Sequence, residues 1–208
     1  MFVESLPEGT RRALGLLADA GLAQPFYLAG GTAVALYLGH RISIDLDFFG
    51  PDHFDAPQLA ARLSDLGRFQ LDRFAPDTLL GEFEGIKISF FRYRYPLIGE
   101  PVIALGIKFA SLQDIAAMKL DAISRRGTRR DFIDLYFIAQ SGLLVSEALE
   151  CYRRKYAGLN VNLVHVVKSL AYFADAEADP MPKMVTGVSW DKITRFLERE
   201  AKALLESL

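Results

Sequence analysis

The sequence holds a single cysteine and a single tryptophan in 208 residues, and acidic and basic groups nearly cancel. Alone, Cys151 cannot form an internal disulfide, which fits a reducing compartment. No apolar run approaches the roughly 18 uncharged residues of a membrane helix, and "MFVESLPEGTRR" lacks a signal-peptide pattern. The expectation is a soluble cytoplasmic protein with no membrane partner. Lys and Arg number 24 against 26 Asp and Glu, a formal net charge of −2. No global field draws the chain to nucleic acid, so contact with RNA or DNA would rest on local basic patches. Repeats and low-complexity tracts are absent. Hydrophobic residues make up 51%, enough to exclude bulk disorder and to build a sizeable core. The three histidines, His40, His53 and His165, have no zinc-ligand spacing and read as structural.

What is present divides near Phe109. Before it, the chain reads as mixed α/β. Pro7–Ala20 carries a helical stripe of Leu14, Leu16, Leu17 and Ala20. "FYLAGG" reads as a short buried strand ending in a glycine turn. "TAVALYLG" follows as a helix, with Thr32 placed to cap it and Gly39 to end it. "RISIDLDFF" alternates: Ser43, Asp45, Asp47 and Phe49 point one way, Ile42, Ile44, Leu46 and Phe48 the other. "APQLAARLSDLG" is an amphipathic helix. "RFQLDRF", "TLLGEFE" and "IKISFFRYRYP" are strands with a tight turn at Glu84-Gly85, and "PVIALGI" adds one more. After Phe109 helical spacing dominates. Ser111 starts a helix through "DIAAMKLDAIS", Gly127 breaks it, and "RRDFIDLYFIAQSG" is the next. "SEALECYRRKYAG", "VNLVHVVKSLAYF" and "SWDKITRFLEREAKALLESL" complete the set, the last capped by Ser189. "DAEADPMPKMVTG" reads as an acidic, proline-containing linker.

Asp45 and Asp47 raise a question of charge. Neighbours on one strand face lie about 7 Å apart, where two charges repel by about 2–3 kcal/mol at an effective dielectric near 20. A solvated strand face reduces that repulsion; a divalent cation between hard oxygen ligands reverses it. Upstream, a glycine turn opens a helix N-terminus, where phosphate oxygens can meet backbone N–H groups. Phosphate cradle and paired carboxylates together are equipment for metal-assisted phosphoryl transfer.

Further on, Lys119 lies on a helix whose Ile115, Met118 and Ala122 face the core, so its ammonium reaches a cleft by snorkelling or remains an ordinary surface charge. Asp131 and Asp134 share a helix face, and Asp131 also suits the helix start. "RRGTRR" places four cations in six residues, either solvated or holding phosphates. "FFRYRYP" interleaves arginines with aromatics, as a base-stacking surface would, although alternate aromatics in a strand are more often core. Cys151 reads as a small buried residue and Trp190 as helix-start packing.

"LAGGTAVALYLGHRISIDLDFF" resembles the first motif of the AbiEii/AbiGii toxin family, minimal nucleotidyltransferases of the polymerase-β-like superfamily. Gly30, Gly31 and Thr32 match its turn, Asp45 and Asp47 its metal-binding pair, and Arg41 and Ser43 the Arg-x-Ser lead-in. "AMKLDAISRRGTRRDFIDLYFI" is similar to its second block, with Lys119, Arg130, Asp131 and Asp134 on the motif positions. Two ordered blocks are far more specific than one.

The resemblance implies a polymerase-β-like α/β (α+β) fold, a mixed sheet with helices over residues 1–109, and a helical domain over 110–208 that closes the cleft. It implies transfer of a nucleoside monophosphate from an NTP, with Mg²⁺ or Mn²⁺ on Asp45 and Asp47. Gly31 and Thr32 would hold the β- and γ-phosphates, and Lys119 and Arg130 would neutralise charge. As partners it implies an RNA acceptor such as tRNA, and the antitoxin of a toxin–antitoxin or phage-defence pair. One departure stands out. Related enzymes carry a third carboxylate on a later strand, where "GIKISFFRY" presents Ser89. Asp131, Asp134 or Glu82 supplies that function, with Asp134 favoured, or catalysis runs without it, or the site binds nucleotide without transfer. A small-molecule (antibiotic) nucleotidyltransferase fits the first motif but leaves the second block unexplained.

Overall fold

The computed structural model describes residues 1–208. A seven-stranded mixed sheet runs in the order β3-β4-β5-β2-β1-β7-β6. Its strands are β1 (Tyr27–Leu28), β2 (Leu46–Gly50), β3 (Phe69–Ala75), β4 (Thr78–Phe83), β5 (Ile86–Arg92), β6 (Val102–Ala104) and β7 (Ile107–Phe109). β2 pairs parallel with β5, and β1 parallel with β7; the other pairs are antiparallel. α1 (Glu8–Asp19), α2 (Gly30–Leu38) and α3 (Ala56–Leu66) belong to the first half of the chain. α4 (Leu112–Arg126), α5 (Arg129–Gln140), α6 (Val145–Lys155), α7 (Leu163–Ser169), α8 (Ala174–Glu177) and α9 (Trp190–Ser207) follow the last strand.

Local chemistry accounts for most element ends. The side chains of Asp55, Ser111, Asn162 and Ser189 each accept the N–H three residues on, capping α3, α4, α7 and α9. Gly39 ends α2 in the left-handed region, at φ 65°. Glu84 and Gly85 turn with φ 53° and 80°, both positive as a two-residue hairpin requires.

Four readings of the sequence need correction. The segment "PVIALGI" forms two strands, because Leu105 and Gly106 repeat the positive-φ turn, at 49° and 73°. β2 starts at Leu46, not Arg41. The lead-in spends its hydrogen bonds elsewhere: Ser43 N–H donates to Ser5 O, Ile42 N–H to Lys183 O, and Thr10 Oγ1 to Ile44 O. Ile44, expected on the apolar face, is 51% exposed. Helix α7 stops at Ser169, and α8 is a separate turn. Residues 183–186 do not run as a free linker. His40 O accepts from both Val185 and Thr186 N–H, at 2.9 and 3.1 Å, and Arg41 bridges Met184, so a strap from the C-terminal part lies along residues 40–42.

A single apolar cluster joins sheet and helices, from Leu14 and Leu28 through Phe48, Phe90 and Phe109 to Leu120, Leu135 and Leu197. Helix α2 is packed among β2, α4 and α5, which sets its N-terminus against both sequence motifs. Asp114 and Lys155 form a fully buried ion pair at 2.7 Å. Asp114 also accepts from Ile98 and Gly99 N–H and from Ser111 Oγ, while Lys155 Nζ donates to Pro96 O. This pair pins the loop between β5 and β6 to α4 and α6.

Candidate active site

A cleft of about 390 Å³ opens between the N-terminus of α2, strands β2 and β5, and helices α4 and α5. Gly30, Gly31, Thr32, Arg41, Ser43, Asp45, Asp47, Lys119, Arg130 and Asp131 all line it. The two blocks, distant in sequence, therefore face one space. Asp134, Glu82 and Ser89 lie outside the lining.

Asp45 sits just before β2 and Asp47 within it. Asp47 is the register partner of Ser89 on β5, the residue that the resemblance sets where related enzymes carry a third carboxylate. Burial first, and then the neighbouring charge of Asp45, raise the Asp47 pKa above the usual carboxylate range; the Ser89 hydroxyl, Lys119 and Arg130 act in the opposite direction without cancelling the rise. Asp45 is more open, with 45% side-chain exposure, and Arg130 Nη1 stands 3.8 Å from its carboxylate.

The glycine turn is shaped by what surrounds it. Gly30 has φ 67°, and a Cβ there would lie 3.0 Å from Asp47 Oδ2. Gly31 is bare for another reason than the sequence gives: a side chain would fall on Nη2 of Arg41. Thr32 is not the cap of α2. It lies inside the first turn, where its hydroxyl donates to Asp45 O and meets Ser43 Oγ at 2.8 Å. No side chain caps α2, so its leading N–H groups remain on the cleft side.

Beneath the floor lies a network of buried charges. Asp134 has no exposure. It takes Arg41 Nε and Nη2 at 2.7 and 2.9 Å, His40 Nε2 at 2.8 Å and Lys119 Nζ at 2.7 Å. Burial alone would raise its pKa, but Lys119 and Arg41, joined by the His40 hydrogen bond, hold it well below the usual range. The sequence reading places Asp134 at the phosphates as a stand-in carboxylate. Its oxygens are instead enclosed by three cationic or donor groups, which leaves no lone pair facing substrate.

Asp131 completes a capping box, accepting from Thr128 N–H and Oγ1, and its other oxygen meets Lys119 Nζ at 2.8 Å. Burial pushes its pKa up, yet Lys119 and Thr128 bring it below the ordinary value. Lys119 is 6% exposed, a buried ammonium clamped by two carboxylates that raise its pKa against the effect of burial. It is not an ordinary surface lysine: it lines the cleft from a buried position. Of "RRGTRR", Arg126 and Arg130 reach the cleft. Arg125 pairs with Asp121, and Arg129 bonds Asp179, Ala176 O and Glu177 O. Glu82 does not line the cleft; its strand partner is Lys87.

Sequence reasoning missed Phe49, which lines the cleft two residues beyond Asp47 on the same strand face. The period-2 alternation was enough to find it. It missed His40 as an anchor for Asp134, for which no local signal exists.

A glycine turn opening a helix beside a carboxylate pair, on a mixed sheet with a parallel β2–β5 step, agrees with the α/β fold expected from the sequence. Residues 12–103 and 92–205 match the family described as "Nucleotidyl transferase AbiEii toxin, Type IV TA system", and the chain belongs to that family. It is 37% identical over 210 residues to the uncharacterized protein aq_aa25 of Aquifex aeolicus (strain VF5), covering 99% of this chain and 100% of that one. Among solved structures it is similar to JHP933 from Helicobacter pylori, with TM-score 0.59 at 20% identity over 97% of this chain and 91% of that one. It is also similar to the antibiotic-resistance factor ANT(2'')-Ia, with TM-score 0.52 at 17% identity over 73% and 94%. At these identities the structures show the fold alone. The chain is a nucleotidyltransferase of a toxin–antitoxin family, and no single helix is long and apolar enough to cross a membrane.

Proposed function

We propose that this chain transfers a nucleoside monophosphate from an NTP to an RNA acceptor, tRNA included, in the presence of Mg²⁺ or Mn²⁺. On this reading it is the cytoplasmic toxin of a toxin–antitoxin or phage-defence pair, restrained by a cognate antitoxin. The observation that carries the proposal is the placement of Asp47 against the bare Gly30 at the mouth of α2, with Asp45 and Arg130 on the same cleft.

The donor set fits the cation. Two hard carboxylates line one space, and the remaining positions of an octahedral Mg²⁺ are left to phosphate oxygens and water. The pKa of Asp47 is raised by burial first and by the charge of Asp45 second. When bound there, the cation would supply Lewis-acid polarisation of the phosphoryl oxygens. The chain's residues do the rest. The N–H groups at the start of α2 bind phosphate oxygens; Arg130 and Arg126 neutralise charge from the outer side. Arg41 and Lys119, fixed by Asp134, present positive charge to the floor. Asp45, half exposed, is the acidic group that an incoming acceptor hydroxyl meets first. Residues 110–208 act as the part that closes the cleft over residues 1–109, since α4 and α5 contribute its far wall.

Incubation of the purified protein with each labelled NTP, Mg²⁺ and total RNA tests the proposal. Label on RNA that disappears in Asp47→Asn supports it. Binding of NTP without transfer to any acceptor would favour a nucleotide-binding module, the reading that Ser89 motivates. Label on an aminoglycoside and none on RNA would favour a small-molecule enzyme.

A further inference from the structure

One wall of the cleft carries no phosphate chemistry. Tyr27, Phe49 and Phe91 occupy one cross-strand row, Tyr27 opposite Phe49 and Phe49 opposite Phe91. The Phe49 and Phe91 rings are stacked, with centroids 5.5 Å apart and planes at 29°. Tyr27 stacks behind Phe49 at 6.2 Å, and Tyr93 closes on its edge at 5.4 Å. This support fixes the Phe49 ring while both phenylalanines still line the cleft.

The row lies two residues past Asp47 and Ser89 on the same strand faces, about 7 Å along the sheet. That is one pleat repeat, the gap a ribose fills between its 5′-phosphate and its base. Across the cleft, α4 presents Ile115, Met118 and Ala122, which share one helix face. Met118 brings a polarisable thioether suited to an aromatic ring. Arg126, next on that face, marks the outer rim. Phe49, Phe91, Ile115, Met118 and Ala122 are the apolar part of the lining; of the donors on α4, Lys119 is engaged by Asp131 and Asp134 and Arg126 stands at the rim, and the backbones of β2 and β5 are paired with each other.

We infer that this slot seats the nucleobase of the NTP, gripping its faces and reading none of its edges, with Phe49 and Phe91 supplying the stacking surface. The inference rests on the nucleotidyltransferase reading and adds to it a rule of selection. All four bases enter, purines bind more tightly than pyrimidines because they stack over more area, and no base is rejected by an unpaired polar group.

Calorimetry of the full chain with Mg²⁺ tests it, using ATP, GTP, CTP, UTP and inorganic tripolyphosphate as probes. Phe91→Leu keeps apolar bulk and Phe91→Ala removes it. Each is expected to weaken purine NTP binding by about tenfold or more, the scale of a lost base stack, while tripolyphosphate binds as in wild type. Unchanged NTP affinity in both variants overturns the inference, as does wild-type preference for one pyrimidine by more than tenfold over both purines. Loss of tripolyphosphate binding along with the NTPs in Phe91→Leu also overturns it, since that points to general damage to the site. If wild-type protein binds neither NTP nor tripolyphosphate, the underlying nucleotidyl-transfer reading falls too, a result distinct from the others.

Discussion

Arg41 and Asp134 stand 93 positions apart in sequence and meet through two hydrogen bonds, Nε to Oδ1 at 2.7 Å and Nη2 to Oδ2 at 2.9 Å. The paired geometry fixes the guanidinium plane as well as its position. Removing the carboxylate leaves Arg41 and Lys119 buried with one anion, Asp131, between them. Asp134→Ala is therefore expected to destabilise the fold by about 3–5 kcal/mol, and to depress nucleotide binding and transfer together. The pKa of Asp134 lies below its unfolded value, so the stability it supplies is complete above about pH 4 and fades as pH falls further. Urea unfolding from pH 3 to 7 reads both effects. A variant as stable as wild type, with transfer alone abolished, would return Asp134 to a role in chemistry.

Gly31 follows from the same pair. Because Arg41 is pinned, it cannot move aside for a methyl group. Gly31→Ala is expected to lower stability, and the loss should shrink by about 1 kcal/mol or more in an Arg41→Ala background. Additive losses in the four-protein cycle would show that the two residues do not meet.

Asp47 has the opposite sign. Its pKa is raised by burial and by Asp45, so the folded state favours the protonated form and carrying the charge at neutral pH costs stability. Without divalent cation, Asp47→Asn should melt higher than wild type at pH 7. That gain should vanish as pH falls below about 4, where both states are protonated in either protein. Thermal melts across this range in EDTA decide the matter. A lower melting point at pH 7 contradicts the assignment.

Ser89→Asp places a third carboxylate on the rung of Asp47. In EDTA the crowding of like charges should lower the melting temperature, and millimolar Mg²⁺ should recover more of it than in wild type. Equal Mg²⁺ responses in the two proteins would separate Ser89 from the cation.

Much of this architecture is written locally. The Gly-Gly turn, the Glu84-Gly85 hairpin, and the Ser111 and Ser189 caps each depend on residues within a few positions, which a sequence displays directly; the Leu105-Gly106 turn was missed inside an apolar run. The cleft residues were legible because each block is continuous in sequence, the first running from α2 into β2 and the second from α4 into α5. What depends on distant partners was not. Nothing near Lys119 or Asp134 states that they neutralise each other under the floor, and nothing in "DAEADPMPKMVTG" announces that it bonds to His40. The strand beginning at Arg41 was misread because alternation persists where the ladder does not. Asp114 and Lys155, a buried pair 41 residues apart, gave no sign in composition or period.

The strap from Lys183 to Thr186 bears on when the cleft becomes complete. Chains leave the ribosome N-terminus first, so Asp45 and Asp47 are exposed early in synthesis. Arg41, however, obtains its counter-ion only when Asp134 arrives, and its backbone neighbours obtain their partners only when Lys183 and Val185 follow. A nascent chain thus carries the paired carboxylates through most of translation without the buried floor that supports them. Order of synthesis itself postpones assembly of the cleft until the C-terminal part has been made.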